Sequence, residues 1–463
     1  MKRKRANKFV YGVGNLGYSV ISQTITNFFM FYGTSVLKVS GVLVGVAVAI
    51  STFWDGFTDP IVGYISDRRA IKGFGHRTGY MLIATFGMAL FNLFIWFIPM
   101  DISEAVKFLW ILFGLIAIET FNTLYSTPYM ALSSDIGYSY HERTLVQVSK
   151  TIFLLVGMVI SSLLLYVFLP NSEKYPIGQL NPHGYRGMAV ITSIICVICG
   201  LICVFGTRKS EKVHSGEVSR ESFSLKRVFS QFLLSLKNIQ QRTIILGYSI
   251  SLLSAVMLTS VGMHFFTYCF NFESKQITIL LSSLIFGTIV SQPLWFYISK
   301  KHDKKPALLS SIFVSVVGVF CIITLFLLRQ ELGNASFYLI LVSIFVCGFG
   351  SGALYSLPTS MFNDIIIAQN KASGRNNTAT YTGMLTFSCN LVNSIATLII
   401  GGLLDIIGFN PENPTQTLSV QTGLALILFV GVQVALISGY YIFSKFNMKS
   451  RRKNQQQKSV INK

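Results

Sequence analysis

Gly41-Val-Leu-Val-Gly45-Val-Ala-Val-Ala-Ile50-Ser-Thr-Phe-Trp-Asp55-Gly-Phe-Thr-Asp59-Pro60-Ile-Val-Gly63-Tyr-Ile-Ser66 is a run long and apolar enough to cross a bilayer, yet it holds two carboxylates past its midpoint. About 20 apolar residues span the hydrocarbon core. An ionised side chain there costs roughly 2.5–3.5 kcal/mol, so acids in such a run mark a site by default. Asp55 and Asp59 are spaced i, i+4 and share one helix face. Two like charges so placed repel, which leaves two stable solutions: a bound hard cation with oxygen ligands, or one carboxylate that keeps a proton. Either makes the pair an ion site, with Asp55 and Asp59 the metal ligands if the ion is Na⁺. The bland alternative is that one Asp merely anchors the helix beside Pro60.

The rest of the chain repeats the apolar theme. Of 463 residues, 52% are hydrophobic and only 12% charged, and the mean hydropathy is +0.57; ordinary soluble domains are far more polar. Apolar runs bounded by charge or turn signals predict an all-α membrane protein of twelve spans, near 9–36, 41–66, 79–100, 107–133, 149–169, 187–206, 240–270, 276–299, 306–328, 336–363, 377–408 and 418–444. The net charge of +20 is topological. Of the 38 Lys and Arg, only Lys38, Lys107, Lys174, Arg186, Lys275 and Arg329 fall on the side away from the termini. That asymmetry predicts a multi-pass protein of the cell membrane with both termini cytoplasmic, and it removes the case for a nucleic-acid partner. The basic start, Met1 to Arg5, lacks a small-residue cleavage pattern, so the first helix is expected to stay.

The chain also repeats itself half a length apart. Leu124-Tyr-Ser-Thr-Pro128 with Asp135-Ile136 recurs as Leu354-Tyr-Ser-Leu-Pro358 with Asp364-Ile365, in the fourth and tenth spans. Asp59-Pro-Ile-Val-Gly-Tyr-Ile-Ser66 recurs as Gln292-Pro-Leu-Trp-Phe-Tyr-Ile-Ser299, in the second and eighth. This predicts two six-helix bundles, residues 1–206 and 239–446, joined by a cytoplasmic linker at 207–238 and followed by a basic tail at 447–463, with the solute at the midplane between them. Asp59 is answered by Gln292, so its carboxylate is not demanded by packing that both halves share.

Other polar residues in the spans give further candidates. Asn15, Ser19, Ser22, Gln23, Thr26 and Asn27 form a stripe on the first span, for solute contact or for helix packing. Ser126 and Tyr129, with Tyr355 and Thr359 in the repeat, present hydroxyls around the two prolines. Lys150 either faces the cavity or snorkels, Glu119 is a charge partner or a near-surface acid, and His264 is a solute or proton contact or a core histidine. All seven cysteines (Cys196, Cys199, Cys203, Cys269, Cys321, Cys347, Cys389) sit in apolar runs and read as packing, including Cys196-x-x-Cys199. Gly348-Phe-Gly-Ser-Gly352 reads as helix packing rather than a nucleotide loop. No nucleotide cassette, metal cluster or nucleophile elbow is visible, so neither an enzyme nor a resident cofactor is expected.

Tyr11-Gly-Val-Gly14, Trp54-Asp-Gly-Phe-Thr-Asp-Pro60, Gly63-Tyr-Ile-Ser-Asp67-Arg68 with Gly75-His-Arg77, and Pro358 through Asn363-Asp364 to Gly374-Arg375 resemble the glycoside–pentoside–hexuronide:cation symporters, the melibiose-permease group of the major facilitator superfamily. The resemblance runs from about residue 8 to 445. It implies alternating access and a coupling cation, Na⁺, Li⁺ or H⁺, held by Asp55 and Asp59 with Thr58 and Thr123. It also implies a gating loop with Gly63, Asp67, Arg68 and Arg77, a small polar solute such as a sugar, and a monomer. The departures lie at the sugar site. The two sugar-binding acids of the group are matched by Ser19 and Ser126, a stacking aromatic by Met130, the fifth-span Arg by Lys150, and an eleventh-span Lys near the ion by Asn390. The group also contains lysolipid carriers, which stand as the alternative solute class, and a transport-silent sensor is the reading from outside transport. The resulting set of solute contacts is Asn15, Ser19, Gln23, Ser126, Tyr129, Lys150, His264, Tyr355, Thr359 and Asn390.

Overall fold

The computed structural model describes residues 8–69, 71, 75, 77–136, 140–208, 238–333, 335–373, 378–413 and 415–446. The basic start, most of the linker and the basic tail lie outside these residues. Twelve long helices occupy them: α1 Lys8–Phe31, α2 Gly41–Arg68, α3 Thr78–Trp96, α4 Glu104–Ile136, α5 Tyr140–Phe168, α6 Pro182–Thr207, α7 Ile239–Cys269, α8 Ser274–His302, α9 Lys304–Leu327, α10 Ala335–Ser373, α11 Thr378–Ile406 and α12 Leu418–Ser444. Several outrun their apolar cores. α5 starts nine residues before its predicted span and α10 ends ten residues after its own, because a helix continues into the interface once its backbone bonds are satisfied.

Ten of the twelve are long and apolar enough to cross a membrane by composition. The two that fall short are α1 and α4. They carry the polar stripe of the first span and the Glu119 to Pro128 stretch, so their polarity has to be covered by neighbouring helices.

Pairing of the helices supports duplication independently of the sequence match. α1 packs on α5 and α6, α2 on α4, and α3 on α4 and α6. Shifted by six, the same pairs recur: α7 on α11 and α12, α8 on α10, and α9 on α10 and α12. Pro60 and Pro293 lie inside α2 and α8, and Pro128 and Pro358 inside α4 and α10. Each proline removes an N–H from the helical ladder, at an equivalent place in the two halves. Across the halves α2 meets α11, α5 meets α8, and α1 meets α7, the pattern a pseudo-two-fold axis demands.

Among the described residues, the hydrogen bonds that join the halves gather at the end of the bundle remote from the termini, called distal here, apart from one deeper bond between Asn390 and Asp55. Asp405 accepts from the backbone N–H of Gly41 at 2.7 Å and of Val42 at 2.9 Å, so a carboxylate of one half caps the first turn of a helix in the other. Lys38 pairs with Glu412 at 2.6 Å. The Gln179 amide donates to Phe272 O at 2.8 Å, and the Thr278 hydroxyl to Ser162 O at 3.0 Å. Gly41, Gly45 and Gly401 let the α2 and α11 backbones touch, where any Cβ would strike backbone atoms.

The two symmetry-related seams differ. Below its glycine crossing the α2–α11 seam is sealed by Phe53, Phe57 and Phe387, with ring centroids 4.8–6.4 Å apart. Below the Thr278–Ser162 bond the α5–α8 seam opens into a cleft of about 460 Å³ lined by Val159, Ile279, Ser282, Ser283, Ile285, Phe286 and Ile289.

Candidate ion and solute site

Helical periodicity builds the candidate ion site from two parallel ladders. Asp55 and Asp59 lie one turn apart on α2, and Thr123 and Thr127 one turn apart on α4. Thr123 Oγ1 donates to Asp55 Oδ1 at 2.5 Å and Thr127 Oγ1 to Asp59 Oδ1 at 3.1 Å. Thr58 stands behind them, its hydroxyl 3.1 Å from Asp55 O and 3.2 Å from Thr123 Oγ1. The second oxygen of Asp55 is reached from the other half, by Asn390 Nδ2 at 3.0 Å. Gly56 faces α11 here, where a Cβ would crowd the Phe387 ring and come into ordinary contact with Asn390.

Glu119 lies one turn before Thr123 on the same helix, half-buried, and accepts from Asn122 Nδ2 at 3.1 Å. The acids face hydroxyls and amides, and the two ion pairs present between described residues, Lys38–Glu412 and Lys304–Asp364, leave all three untouched. Among the described residues no three His, Cys, Asp or Glu converge on one point as a metal cluster. Any cation held here is therefore completed by hydroxyl and amide oxygens. An all-oxygen donor set of this kind suits a hard monovalent cation and does not suit a transition metal.

The expected solute contacts divide. Four are engaged in packing between helices. Asn15, buried, donates to Lys150 O at 2.9 Å and ties α1 to α5. Ser19, equally buried, fills the space left by the missing side chain of Gly157. Tyr129 stacks on Tyr11 at 4.3 Å, and each hydroxyl donates to the other's backbone carbonyl, at 2.9 and 3.0 Å, a reciprocal clasp between α1 and α4. His264 is fully buried at the distal interface, with Nε2 2.7 Å from Thr34 Oγ1 and its ring between Phe31 and Phe409. Asn390 is hydrogen-bonded to Asp55 and so lies beside the candidate ion site.

The others remain accessible. Gln23 and Ser126 are half-buried, Tyr355 is 47% exposed, and Thr359 is half-buried with its hydroxyl turned back on Ser356 O at 3.0 Å. Lys150 is half-buried with its ammonium 5.9 Å from the Tyr129 ring. Of the gating loop, Arg77 donates to Ala131 O at 2.8 Å and Gly63 lies against Thr127, while the side chains of Asp67 and Arg68 fall outside the described set. Thr127 and Asn122 were missed. The signal for Thr127 was present, since its four-residue step from Thr123 copies that from Asp55 to Asp59.

Two repeated six-helix halves, crossed by α2–α11 and α5–α8 with polar groups at the midplane, define a membrane transporter of the major facilitator fold. Solved structures of that fold agree: the nucleoside transporter NupG superposes with a TM-score of 0.64 at 14% identity, over 95% of this chain and 99% of that one. The sequence matches the MFS/sugar transport protein family over residues 10–450, and the chain belongs to that family. Its relatives include the sodium-dependent lysophosphatidylcholine symporter 1-A of Danio rerio, 22% identical over 99% of this chain and 89% of the relative. The sodium-dependent lysophosphatidylcholine symporter 1 of Mus musculus is 21% identical over 98% and 88%.

Proposed function

We infer that this protein is a cation-coupled symporter that works by alternating access, and that its solute is an amphiphile of the lysophospholipid kind. The observation that carries the coupling is the pair Asp55 and Asp59, two intramembrane acids held by Thr123, Thr127 and Asn390 at the contact between halves. A charge so placed is tolerated when an ion or proton neutralises it. Na⁺ is the favoured ion, in keeping with the all-oxygen donors and with the relatives' names. With the termini cytoplasmic, as the Lys and Arg asymmetry suggests, distal closure corresponds to a cell-membrane monomer closed to the outside. Loading the ion and solute from one side and rocking the halves about the midplane would release both on the other.

Two features favour an amphiphile over a sugar. Ser19 and Ser126 stand where melibiose-type carriers place acids for sugar hydroxyls, and Ser19 is buried in packing. The α5–α8 cleft, apolar except for Ser282 and Ser283, suits a hydrocarbon tail beside a polar group. A sugar remains the second reading, supported by the family's description and by the accessible hydroxyls of Ser126 and Tyr355.

Proteoliposome uptake decides. Accumulation of labelled lysophosphatidylcholine driven by an inward Na⁺ gradient, abolished in Asp59→Asn with insertion intact, is the expected result. Na⁺-driven uptake of a glycoside alone would replace the solute assignment, unchanged coupling in Asp59→Asn would overturn the ion site, and no gradient-driven accumulation of either would leave a sensor or scaffold.

A further inference from the structure

We propose that the distal contact around His264 is a releasable latch, in which Ser35, Gln179, His264, Thr267 and Tyr268 are closed over with too few hydrogen-bond partners and so favour reopening. This rests on the alternating-access reading and adds to it the force that parts the halves at the distal end.

The latch begins where α1 stops. Tyr32–Val36 continues that helix as one π-helical turn, a winding often found at functional sites, and it carries Thr34 and Ser35. His264, Thr267 and Tyr268 are spaced i, i+3 and i+4 and share one face of α7. The turn and the face meet. Thr34 Oγ1 lies 2.7 Å from His264 Nε2, and the Phe31 ring packs on both His264, at 4.9 Å, and Tyr268, at 6.0 Å. Gln179 enters the same layer from the loop before α6. Its backbone carbonyl accepts from the Tyr185 hydroxyl at 2.9 Å, and Tyr185 packs on Tyr32 at 4.9 Å.

Polar groups outnumber bonds across this contact. All five residues are at most 3% exposed. Ser35 Oγ, Gln179 Oε1, His264 Nδ1, Thr267 Oγ1 and Tyr268 OH nevertheless have no hydrogen-bond partner among the described residues. His264 shows how the shortfall arises. Thr34 has one hydroxyl proton, and Met30 O takes it at 2.8 Å. Nε2 then donates to Thr34 Oγ1, and Nδ1 is left as a lone pair without a donor. In the other tautomer Nδ1 carries an N–H without an acceptor. Phe31 and Phe409, on either side of the ring, supply neither.

A polar atom that closes over without a protein partner gives up bonds it makes freely in water. Parting the halves at this level returns those bonds to all five groups, so each weights the equilibrium toward the open end. The Asp405 cap and the Lys38–Glu412 pair weight it toward the closed end. Opposed in this way, the distal end can be tipped by the modest difference in affinity that a bound ion or solute supplies.

The test deletes polar atoms with little change of shape. Thr267→Val exchanges a hydroxyl for a methyl, Tyr268→Phe removes one hydroxyl, and His264→Leu removes the imidazole while Thr34 keeps Met30 O. Full-length protein in nanodiscs carries spin labels at Glu173→Cys and Glu331→Cys, with Cys321→Ser, and the open fraction is read by double electron–electron resonance. The Asp405→Ala background raises that fraction so that a fall is visible. Each of the three substitutions should lower the ratio of distally open to distally closed protein at least about fivefold. Should His264→Leu fail to fold, Thr267→Val and Tyr268→Phe decide. An open fraction that stays the same or rises overturns the proposal, because the groups would then be served in the closed end. A single distance that neither Na⁺ nor Asp405→Ala moves defeats the alternating-access reading, and this proposal with it.

Discussion

Removing the Asp405 carboxylate should loosen the distal end of the bundle. Asp405 accepts two backbone N–H bonds at 2.7 and 2.9 Å from the first turn of α2, at the positive end of that helix's dipole, and it does so across the halves. Hydrogen bonds to a charged group contribute about 1.5–3 kcal/mol when well sheltered. Asp405 is exposed at the surface, where screening removes much of that. About 1–2 kcal/mol is a fair figure for the pair of bonds, which corresponds to a factor of roughly 5–30 in the ratio of distally open to distally closed protein. Asp405→Ala should produce the whole shift and Asp405→Asn less, because one amide oxygen still accepts. Spin labels at Glu173→Cys in the first half and Glu331→Cys in the second, with the exposed Cys321 replaced by Ser, report the separation by double electron–electron resonance. A distance distribution in Asp405→Ala indistinguishable from that with Asp405 intact would refute the idea that this cap holds the halves together.

Tyr129→Phe breaks one of the two reciprocal bonds of the Tyr11 clasp and should lower stability by about 1 kcal/mol, seen as a reduced unfolding midpoint, while the solute concentration for half-maximal uptake stays put; a selective rise in that concentration would return Tyr129 to the solute site. Ser283→Trp should fill the α5–α8 cleft and slow lysophosphatidylcholine uptake while leaving the Na⁺-dependent unfolding shift intact, and undiminished lysolipid uptake would show that this seam is not the tail's path. Gly401→Val, which places branched carbons against the Gly41 and Gly45 backbone, should separate α2 from α11 and weaken Na⁺ binding together with distal closure; loss of neither would show the crossing to be pliable.

The candidate ion site was legible in the sequence because acids in an apolar run conflict with their surroundings, and conflict of that kind points to function whatever the packing. The architecture was legible for a related reason, since Pro60 and Pro128 reappear as Pro293 and Pro358 inside equivalent helices. Whether Asn15, Ser19, Tyr129 and His264 serve solute or packing was left open in the sequence because polarity alone does not say whether a face turns to a cavity or to a neighbouring helix. Gly157 opposite Ser19 and Tyr11 opposite Tyr129 are contacts between α1, α4 and α5 that no single-helix periodicity encodes. Asn390 was reachable only through the resemblance, because an Asn among Ser, Cys and Asn residues on α11 carries no signal of its own.

The low apolarity of α1 and α4 has a bearing on how the chain is made. A segment that partitions weakly into lipid is not released early by insertion on its own account. α1 is synthesised long before the strand of chain that supplies Lys150 O for Asn15 and Gly157 for Ser19, so during biosynthesis its polar groups wait for α5 and α6 to emerge. The first half should therefore settle in the bilayer as one late, concerted event, and a ribosome-bound chain ending between α4 and α5 should leave α1 extractable where a chain ending after α6 does not.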